Sequence, residues 1–369
     1  MKAQILAFLK RYDFTFFSTI LVIFGIGLLN LYSATHANPS AHMANLFKTQ
    51  TMWFSLAVAA GGIVSFIGPK NLFRYSYFIY AFNIFLLILV LIMGKKALGA
   101  QRWIAIGPFN LQPSETMKIA LVLALSRWYS LHNPESPLDI KKLIVPSLIV
   151  FIPAVLVIME PDLGTGLLLL LIFGAMTFYR RLKWKSIFIL CILGILGGTF
   201  MYNFGLKEYQ RKRISTFLDP HRDAKGSGYN AIQSEIAIGS GRILGKGYKK
   251  SSQASLQYLP ENHTDFVFSI FNEEHGLIGS IFLLLLYLIL FLRMLWLSGV
   301  VLRIYDSLLA VGIMSILFWH TFINMCMVMG LSPIVGLPLP FMSYGGSSLL
   351  TFGICIGIVT SLSNSRNMF

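Results

Sequence analysis

Long apolar runs separated by short polar segments set the pattern of hydrophobic and polar positions along this chain. About ten runs approach the roughly 20 apolar residues that a bilayer-spanning helix needs. They cover approximately residues 14–33, 50–68, 75–94, 115–131, 143–159, 163–179, 186–205, 268–297, 305–329 and 346–363. Backbone groups inside a bilayer must bond to one another, so the pattern predicts one all-α polytopic membrane domain over residues 1–369.

Composition and charge add an orientation to this prediction. Of the 369 residues, 56% are hydrophobic and only 12% are charged. The first run follows Lys2, Lys10 and Arg11 but exceeds the roughly 7–15 residues of a cleavable signal core, so we interpret it as an anchor. With the N-terminus inside, the inner segments hold fourteen Lys and Arg and the short outer loops hold four. This bias predicts that both termini face the cytoplasm.

The net charge of +15 raises the question of nucleic acid. Nearly all apolar runs are of membrane length, which leaves no soluble domain to bind it, so we expect no nucleic-acid partner. The excess charge fits the cytoplasmic bias and attraction to anionic membrane lipids. Cys191, Cys326 and Cys355 lie in predicted spans without paired spacing, which predicts small core residues rather than a metal or redox site.

One connection is long: residues 206 to about 266 form an outer segment with ten Lys and Arg and five acids before Asp265. A basic outer segment suits an anionic lipid or a phosphorylated substrate. Its stretch GYNAIQSEIAIGSG has helical spacing and predicts an amphipathic helix, either flat on the membrane or packed on the bundle. The following GSGRILGKGY lacks the spacing of a Walker phosphate loop, so no ATP site is predicted.

Several ionisable residues stand where the hydrocarbon makes charge costly, which makes each a candidate for function. GAQRWIAIGPFNLQPSETMK places Arg102 in an outer loop and Glu115 and Lys118 three residues apart on the opening turn of the fourth span. They fit either a substrate site or a simple ion pair on the helix surface, with Glu115 favoured by the helix dipole.

Three further stretches carry polar groups near or within the membrane. MEPDLGTG puts Glu160 and Asp162 in a tight turn, where Asp162 also suits the cap of the next helix. His320 and Asn324 share one face of the ninth span, which fits an interhelical hydrogen bond. GLPLPFMSYGGSS, residues 336–348, breaks the chain before the tenth span and predicts part of a cavity wall.

The stretch LPENHTDFVFSIFNEEHG, residues 259–276, holds four of the 15 acidic residues and two of the seven histidines. Asp265, with His263 close by, lies where the long outer segment enters the eighth span. Helix capping would explain one acid. It does not explain a cluster that faces a basic segment.

Together and in this order, GAQRWI, LQPSE, EPDLGTG, GYNAIQSEIAIGSG, LPENHTDFVFSIFNEEHG and GLPLPFMSYGGSS make the chain resemble the SEDS family of bacterial cell-wall polymerases, most closely its elongation branch. The resemblance covers nearly the whole chain. It implies a peptidoglycan glycosyltransferase that joins lipid II into glycan strands at the outer face of the cytoplasmic membrane. It also implies a class B penicillin-binding protein as partner and Asp265 as the essential residue.

The chemistry of lipid II agrees with these residues. Its sugar is bound through the anomeric carbon to a polyprenyl pyrophosphate, so the acceptor hydroxyl needs a base, for which we expect Asp265. The leaving group needs cations rather than an acid, and attack opposite to it inverts the α-linked donor. The predicted substrate-binding residues are Arg102, Glu115, Lys118, Asp162, His263, Ser343 and Tyr344. No cofactor is firmly predicted, and a divalent cation stays open.

Two other classes of function remain as alternatives. A flippase for a lipid-linked precursor would also need a bundle, a cavity and cations, but it predicts titratable groups near the bilayer midplane. Here nearly all of them lie on the outer side, with His320 the main exception. A scaffold that only recruits the penicillin-binding protein would need none of them. The asymmetry favours an enzyme that acts outside the cytoplasm.

Overall fold

The computed structural model describes residues 13–36, 41–97, 100–106, 109–132, 137–205, 208–223, 226–256, 258–259 and 263–365. Its helices are α1 Phe14–His36, α2 Ala41–Ser65, α3 Pro69–Met93, α4 Pro113–Leu131, α5 Ile144–Met159, α6 Leu163–Tyr179, α7 Trp184–Phe200, α8 Glu208–Leu218, α9 Ser227–Gly241, α10 Ser252–Ser255, α11 Val267–Val300, α12 Ile304–Val328 and α13 Gly346–Ser365. The strands are β1 Lys95–Ala97, β2 Ala100–Ile106 and β3 Phe109–Leu111.

Helices occupy all ten predicted spans. Within the described ranges, six are long and apolar enough to cross a membrane by length and composition: α1, α3, α11, α12, α13, and α5 with the short 3₁₀ turn before it. Two shorter apolar helices, α6 and α7, add to them. The protein is therefore a helical, multi-pass membrane protein. The count of ten spans stays a prediction, because α2, α4, α6 and α7 are not among the six.

The bundle is built around α4 and α12, whose side chains are buried on most sides. Around this centre, α3 packs on α4, α6 packs on α12, α5 packs on α6, and α2 packs on α13. Small residues let α2 and α13 approach closely, since a Cβ built on Gly353 would meet the backbone of Ala57. Close approach of this kind is typical of helices that associate in lipid.

A small antiparallel sheet, which the hydrophobic pattern did not predict, follows α3. β2 pairs with β1 and with β3, and Ile104 stands opposite Leu111. Its edges are tolerated because the sheet lies between spans, where its backbone groups need not meet hydrocarbon. The hydroxyl of Ser347 donates to Asn110 O at 2.8 Å, which fixes the sheet to the start of α13.

The long segment 206–266 contains three α-helices, α8, α9 and α10, among its described residues. α9 confirms the predicted amphipathic helix, and it packs against α11. Ser234 Oγ lies 2.8 Å from Ser269 Oγ and donates to Val328 O at 2.6 Å. The structure thus has the bundle-packed form of this helix.

Some residues used in the sequence predictions lie outside the described ranges. They are Lys2, Lys10 and Arg11 at the start of the chain, Glu261 in the acidic stretch, and Arg366 near the end. Of the cysteines, Cys355 is buried as predicted and Cys326 is partly exposed. The backbone of Cys191 lies in α7, and its side chain is not described.

Candidate active site

Asp265 lies in the turn 263–266 that precedes α11, and its side chain is partly exposed. The amide of Asn324, on α12, holds the backbone of this turn. Asn324 Nδ2 donates to Asp265 O at 3.0 Å and to Leu337 O at 2.7 Å. One buried amide therefore joins the predicted catalytic residue to the segment before α13.

The segment before α13 forms a second wall against the same turn. Ser343 Oγ donates to Thr264 O at 2.6 Å and accepts from Leu339 N at 2.8 Å. Tyr344 N donates to His263 O at 2.9 Å, and the His263 and Tyr344 rings stand 5.9 Å apart. The structure thus brings the predicted residues His263, Ser343 and Tyr344 to Asp265.

Gly336 leaves room for the Asp265 carboxylate. A Cβ built on Gly336 would stand 3.3 Å from Asp265 Oδ2, so this carboxylate oxygen lies against the glycine. Gly336 also has φ of 71°, in the left-handed region that favours glycine. A side chain here would both strain the backbone and crowd the carboxylate.

Glu115, Lys118 and His320 form a buried cluster that contacts the segment before α13 at Pro338. Lys118 Nζ lies 2.8 Å from Glu115 Oε1 and 2.8 Å from His320 Nε2. His320 Nδ1 lies 3.2 Å from Pro338 O. Because an ammonium donates and a carbonyl accepts, His320 must accept at Nε2 and donate from Nδ1. The cluster therefore connects α4 to the segment that carries Ser343.

Lys118 is 0% exposed, and both groups that it contacts are side chains of the protein. The predicted pair of Glu115 and Lys118 is thus a buried pair rather than one on the helix surface. This placement supports a role in holding the segment 337–343. A direct contact between Lys118 and phosphate stays a prediction.

Arg102 and Asp162 both brace the turn between α5 and α6. The guanidinium of Arg102 donates to Glu160 O at 3.2 Å and also to Pro161 O. Asp162 caps α6, accepting from Thr165 N at 3.2 Å and from Thr165 Oγ1 at 2.9 Å. A Cβ on Gly164 would stand 2.6 Å from Val335 O, so this turn packs beside Gly336 and, through it, reaches the neighbourhood of Asp265.

The Glu160 side chain in the same turn is buried, and neither carboxylate oxygen has a hydrogen-bond partner among the described residues. Burial raises the pKa of Glu160 to about 8, the charge of Asp162 adds to the rise, and Arg102 opposes it. Glu160 is therefore largely protonated near neutral pH.

The other two described acids of the 259–276 stretch do not point to the site. Glu273 is buried and accepts from Lys246 Nζ at 2.6 Å, from Ser252 Oγ at 2.7 Å and from the Ser251 hydroxyl. Glu274 is buried and accepts from the hydroxyl of Ser33. These carboxylates hold the chain around residues 246–252 rather than a substrate.

The predicted cavity wall is partly confirmed. Phe341 lines an apolar cavity of about 400 Å³, whose remaining lining residues come from α1, α2, the adjoining Phe66 and α13. Asp265 is not among the lining residues of this cavity. Within the described ranges, no group of three or more His, Cys, Asp or Glu side chains is placed to hold a metal ion. The divalent cation stays an open prediction.

Two residues central to this arrangement, Asn324 and Gly336, were not among the predicted site residues. Asn324 carried a signal, since a polar amide within a span must find partners, but the pattern did not identify which ones. Gly336 begins a stretch with two prolines, which marks a break without indicating a contact to Asp265.

Comparison with known proteins shows which proteins this chain is similar to. The sequence model of the FtsW, RodA and SpoVE family, described as cell cycle proteins, matches residues 14–368. The peptidoglycan glycosyltransferase MrdB of Escherichia coli K12 is 38% identical over 306 residues, which cover 83% of this chain and 82% of that protein.

Two solved structures also resemble the chain. One is a chain from a study of how a peptidoglycan synthase complex coordinates polymerization and crosslinking. It is 30% identical, with a TM-score of 0.83, covering 97% of this chain and 99% of that one. The other is the rod shape determining protein RodA of Thermus thermophilus, 26% identical with a TM-score of 0.73, covering 97% of this chain and 98% of that one.

Proposed function

The chain belongs to the FtsW, RodA and SpoVE family and is a peptidoglycan glycosyltransferase, and from this premise we propose that Asp265 is its general base. We further propose that it polymerises lipid II during cell elongation. The observation that carries the assignment is the placement of Asp265: a partly exposed carboxylate whose backbone is held by Asn324 and whose turn is flanked by His263 and Tyr344.

The proposed reaction needs one proton acceptor. Asp265 takes the proton of the acceptor hydroxyl as its oxygen attacks the anomeric carbon of the donor. The new glycosidic bond forms while the bond from the anomeric carbon to the pyrophosphate oxygen breaks, and its electron pair leaves with the polyprenyl pyrophosphate. Attack from the opposite face converts an α-linked donor into a β-linked product. The leaving group is already an anion, so it needs no general acid.

The leaving pyrophosphate is proposed to meet the positive charge of Arg102, which is partly exposed beside the turn between α5 and α6. Lys118 is proposed to act from the buried side of the site. Its positive charge attracts the pyrophosphate, and its contact with His320 holds Pro338 in place. Glu115 and Asp162 then orient these elements. Tyr344 and His263 present partly exposed rings beside Asp265, where sugar rings would bind.

We propose that both termini face the cytoplasm and that Asp265 faces outward. A cysteine probe at the exposed residue Gly226 should react with an impermeant reagent in intact cells, and one at the exposed residue Lys183 should not. The reverse labelling would overturn both the orientation and the site. A class B penicillin-binding protein is the proposed partner, since crosslinking of new strands is a separate reaction.

The decisive experiment uses purified protein and labelled lipid II, with and without the penicillin-binding protein, and measures the glycan length. Asn caps a helix about as well as Asp but cannot accept a proton at neutral pH. Asp265→Asn should therefore keep membrane insertion and partner binding, while polymerisation falls by about 10²–10⁴-fold. Normal polymerisation by this variant would refute the assignment.

The same assay separates the alternatives. A scaffold predicts that polymerisation follows the partner alone and ignores Asp265→Asn. A flippase predicts transfer of labelled lipid II between leaflets, with no glycan product from the purified protein. A glycan product that depends on Asp265 excludes the scaffold and assigns the chemistry to this chain.

A further inference from the structure

α11 is broken near its start. Gly276 has φ of 64° and ψ of −162°, far from helical values, although the flanking residues are helical. The break separates a short helix over residues 267–275, next to Asp265, from a longer apolar helix over 277–300. A break in a membrane helix frees backbone groups that need other partners.

The chain after α9 supplies those partners. Lys246 N and Gly247 N each donate at 2.9 Å, to Glu273 O and Glu274 O respectively. On the other side of the break, Leu277 N donates at 2.9 Å to Arg242 O and Ile278 N at 3.2 Å to Ile243 O. The segment 242–247 thus satisfies both ends of the broken helix.

This pairing fixes the depth of the segment 242–247 relative to the membrane. Ile243 and Arg242 are bonded to the first residues of the apolar helix 277–300, so they lie level with its outer end. A Cβ on Gly276 would fall 2.6 Å from Ile243 O, which means that the two backbones touch. The segment therefore cannot stand off from the bundle into water.

The segment presents apolar side chains outward at that level. Ile243 is 63% exposed and Leu244 is 77% exposed. Beside them, Leu277 and Ile278 are also exposed and continue the apolar surface of α11, a helix long and apolar enough to span a membrane. Four exposed aliphatic side chains form one surface that is continuous with the face of a spanning helix.

The residues that follow carry the features of a membrane interface. Tyr248 Oη donates to Leu29 O of α1 at 3.2 Å, and Lys249 Nζ lies 4.5 Å from the centre of the Tyr32 ring. Lys250 follows and is exposed. Tyr rings and Lys side chains concentrate where the acyl region meets the head groups.

We propose that residues 242–250 form a lipid-binding clamp, in which Ile243 and Leu244 enter the outer acyl region while Arg242, Lys249 and Lys250 bind anionic phospholipid head groups. The clamp spans from α11 to α1 across the outer surface. This occupant follows from the continuity with the spanning face of α11 and from the excess of positive charge. The inference does not depend on the proposed activity, and its assignment to the outer leaflet rests on the proposed orientation.

The test places a fluorescent bimane on Leu244→Cys in protein whose three native cysteines are replaced by alanine. The protein is reconstituted in phosphatidylcholine nanodiscs with doxyl groups near the head group or deep in the chain. Leu244 is exposed, so the label disturbs no packing. Two control labels are Lys212→Cys, on the polar helix α8, and Leu285→Cys, exposed midway along α11.

The clamp predicts strong quenching of the Leu244→Cys label by shallow doxyl groups, weaker quenching by deep ones, and little quenching by aqueous iodide. The Lys212→Cys label should be quenched strongly by iodide and weakly by doxyl groups. The Leu285→Cys label should be quenched most strongly by deep doxyl groups. Iodide quenching equal to that at Lys212→Cys would overturn the proposal. Protection from both quenchers would also overturn it, since a protein surface would then cover the segment.

A second arm tests the head groups. Adding phosphatidylglycerol should increase shallow doxyl quenching at Leu244→Cys, and high salt should reverse the increase. The change should be largely lost when Lys249→Gln and Lys250→Gln are combined. Equal quenching with and without phosphatidylglycerol would overturn the assignment of the cations to anionic lipid.

Discussion

Asn324→Leu is the sharpest perturbation of the candidate site that leaves Asp265 itself unchanged. Asn324 is 0% exposed, and its amide nitrogen donates to the carbonyls of Asp265 and Leu337. Leucine has a similar volume and keeps the packing, but it removes both hydrogen bonds. The turn that carries Asp265 then loses its connection to the segment before α13.

The magnitude follows from the two bonds and from one compensating loss. Each hydrogen bond contributes about 0.5–1.5 kcal/mol net, and a buried carbonyl left without a donor costs about 1–3 kcal/mol. Asn324 Oδ1, however, is buried and has no hydrogen-bond partner among the described residues, so removing it relieves a penalty. We therefore expect a net loss of about 1–3 kcal/mol. If this energy positions Asp265, kcat should fall roughly ten- to hundredfold, at 1.36 kcal/mol for each tenfold change.

The assay measures kcat and KM for lipid II polymerisation, together with the thermal unfolding midpoint. Asn83→Leu is the matched control, because Asn83 is a buried amide that donates to Ile79 O at 2.9 Å and accepts from Thr116. Its bonds lie within α3 and between α3 and α4 rather than at the turn that carries Asp265. Both variants should lower the midpoint, but only Asn324→Leu should lower kcat while KM stays near its original value. Equal midpoints and equal kcat in the two variants would refute the positioning role.

The remaining predictions concern stability. Gly276→Ala should destabilise by about 1–3 kcal/mol, since it adds a Cβ against backbone at a positive φ, whereas Gly299→Ala on the same helix meets nothing and should be near neutral. Glu160→Gln should stabilise the protein increasingly as pH rises from about 5 to about 8 and level off above, because the wild-type pKa of about 8 makes ionisation unfavourable in the fold. Lys118→Met should lower the unfolding midpoint by stranding its two buried partners, at about 3–5 kcal/mol. Thermal unfolding of purified protein, for Glu160 at several pH values, checks all three, and unchanged midpoints would contradict each.

The positions of the spans were predictable because hydrocarbon imposes a strong pattern. The predicted range 163–179 coincides with α6, and most other ranges differ by a few residues. The exception is α2, which begins at Ala41, nine positions before the predicted span. The nine residues before the predicted span include Asn45, Lys48 and Thr49, which are compatible with helix but not with an apolar run. Hydropathy detects contact with lipid, so it misses helix that extends beyond the membrane.

The site was predictable only as a set of stretches. The motifs singled out Asp265, His263 and Tyr344, which the structure places together. The contacts that join them run through Asn324, which is 59 positions from Asp265 along the chain. No periodicity links residues so far apart, since helical spacing specifies only neighbours on one face. Lys118 shows the same limit: the spacing identified its pair with Glu115 but not its contact with His320.

The acidic stretch 259–276 combines two separate tasks. Asp265 is partly exposed and fits the chemistry, while Glu273 and Glu274 are buried and hold the chain that follows α9. A buried carboxylate is tolerated only where donors surround it, and Glu273 has an ammonium, two hydroxyls and two backbone N–H groups. These bonds fix the far end of the short helix 267–275, and Asn324 fixes its near end. Asp265 therefore lies in a short turn that joins a braced helix and whose own backbone is bonded to Asn324, and a positioned base requires such support.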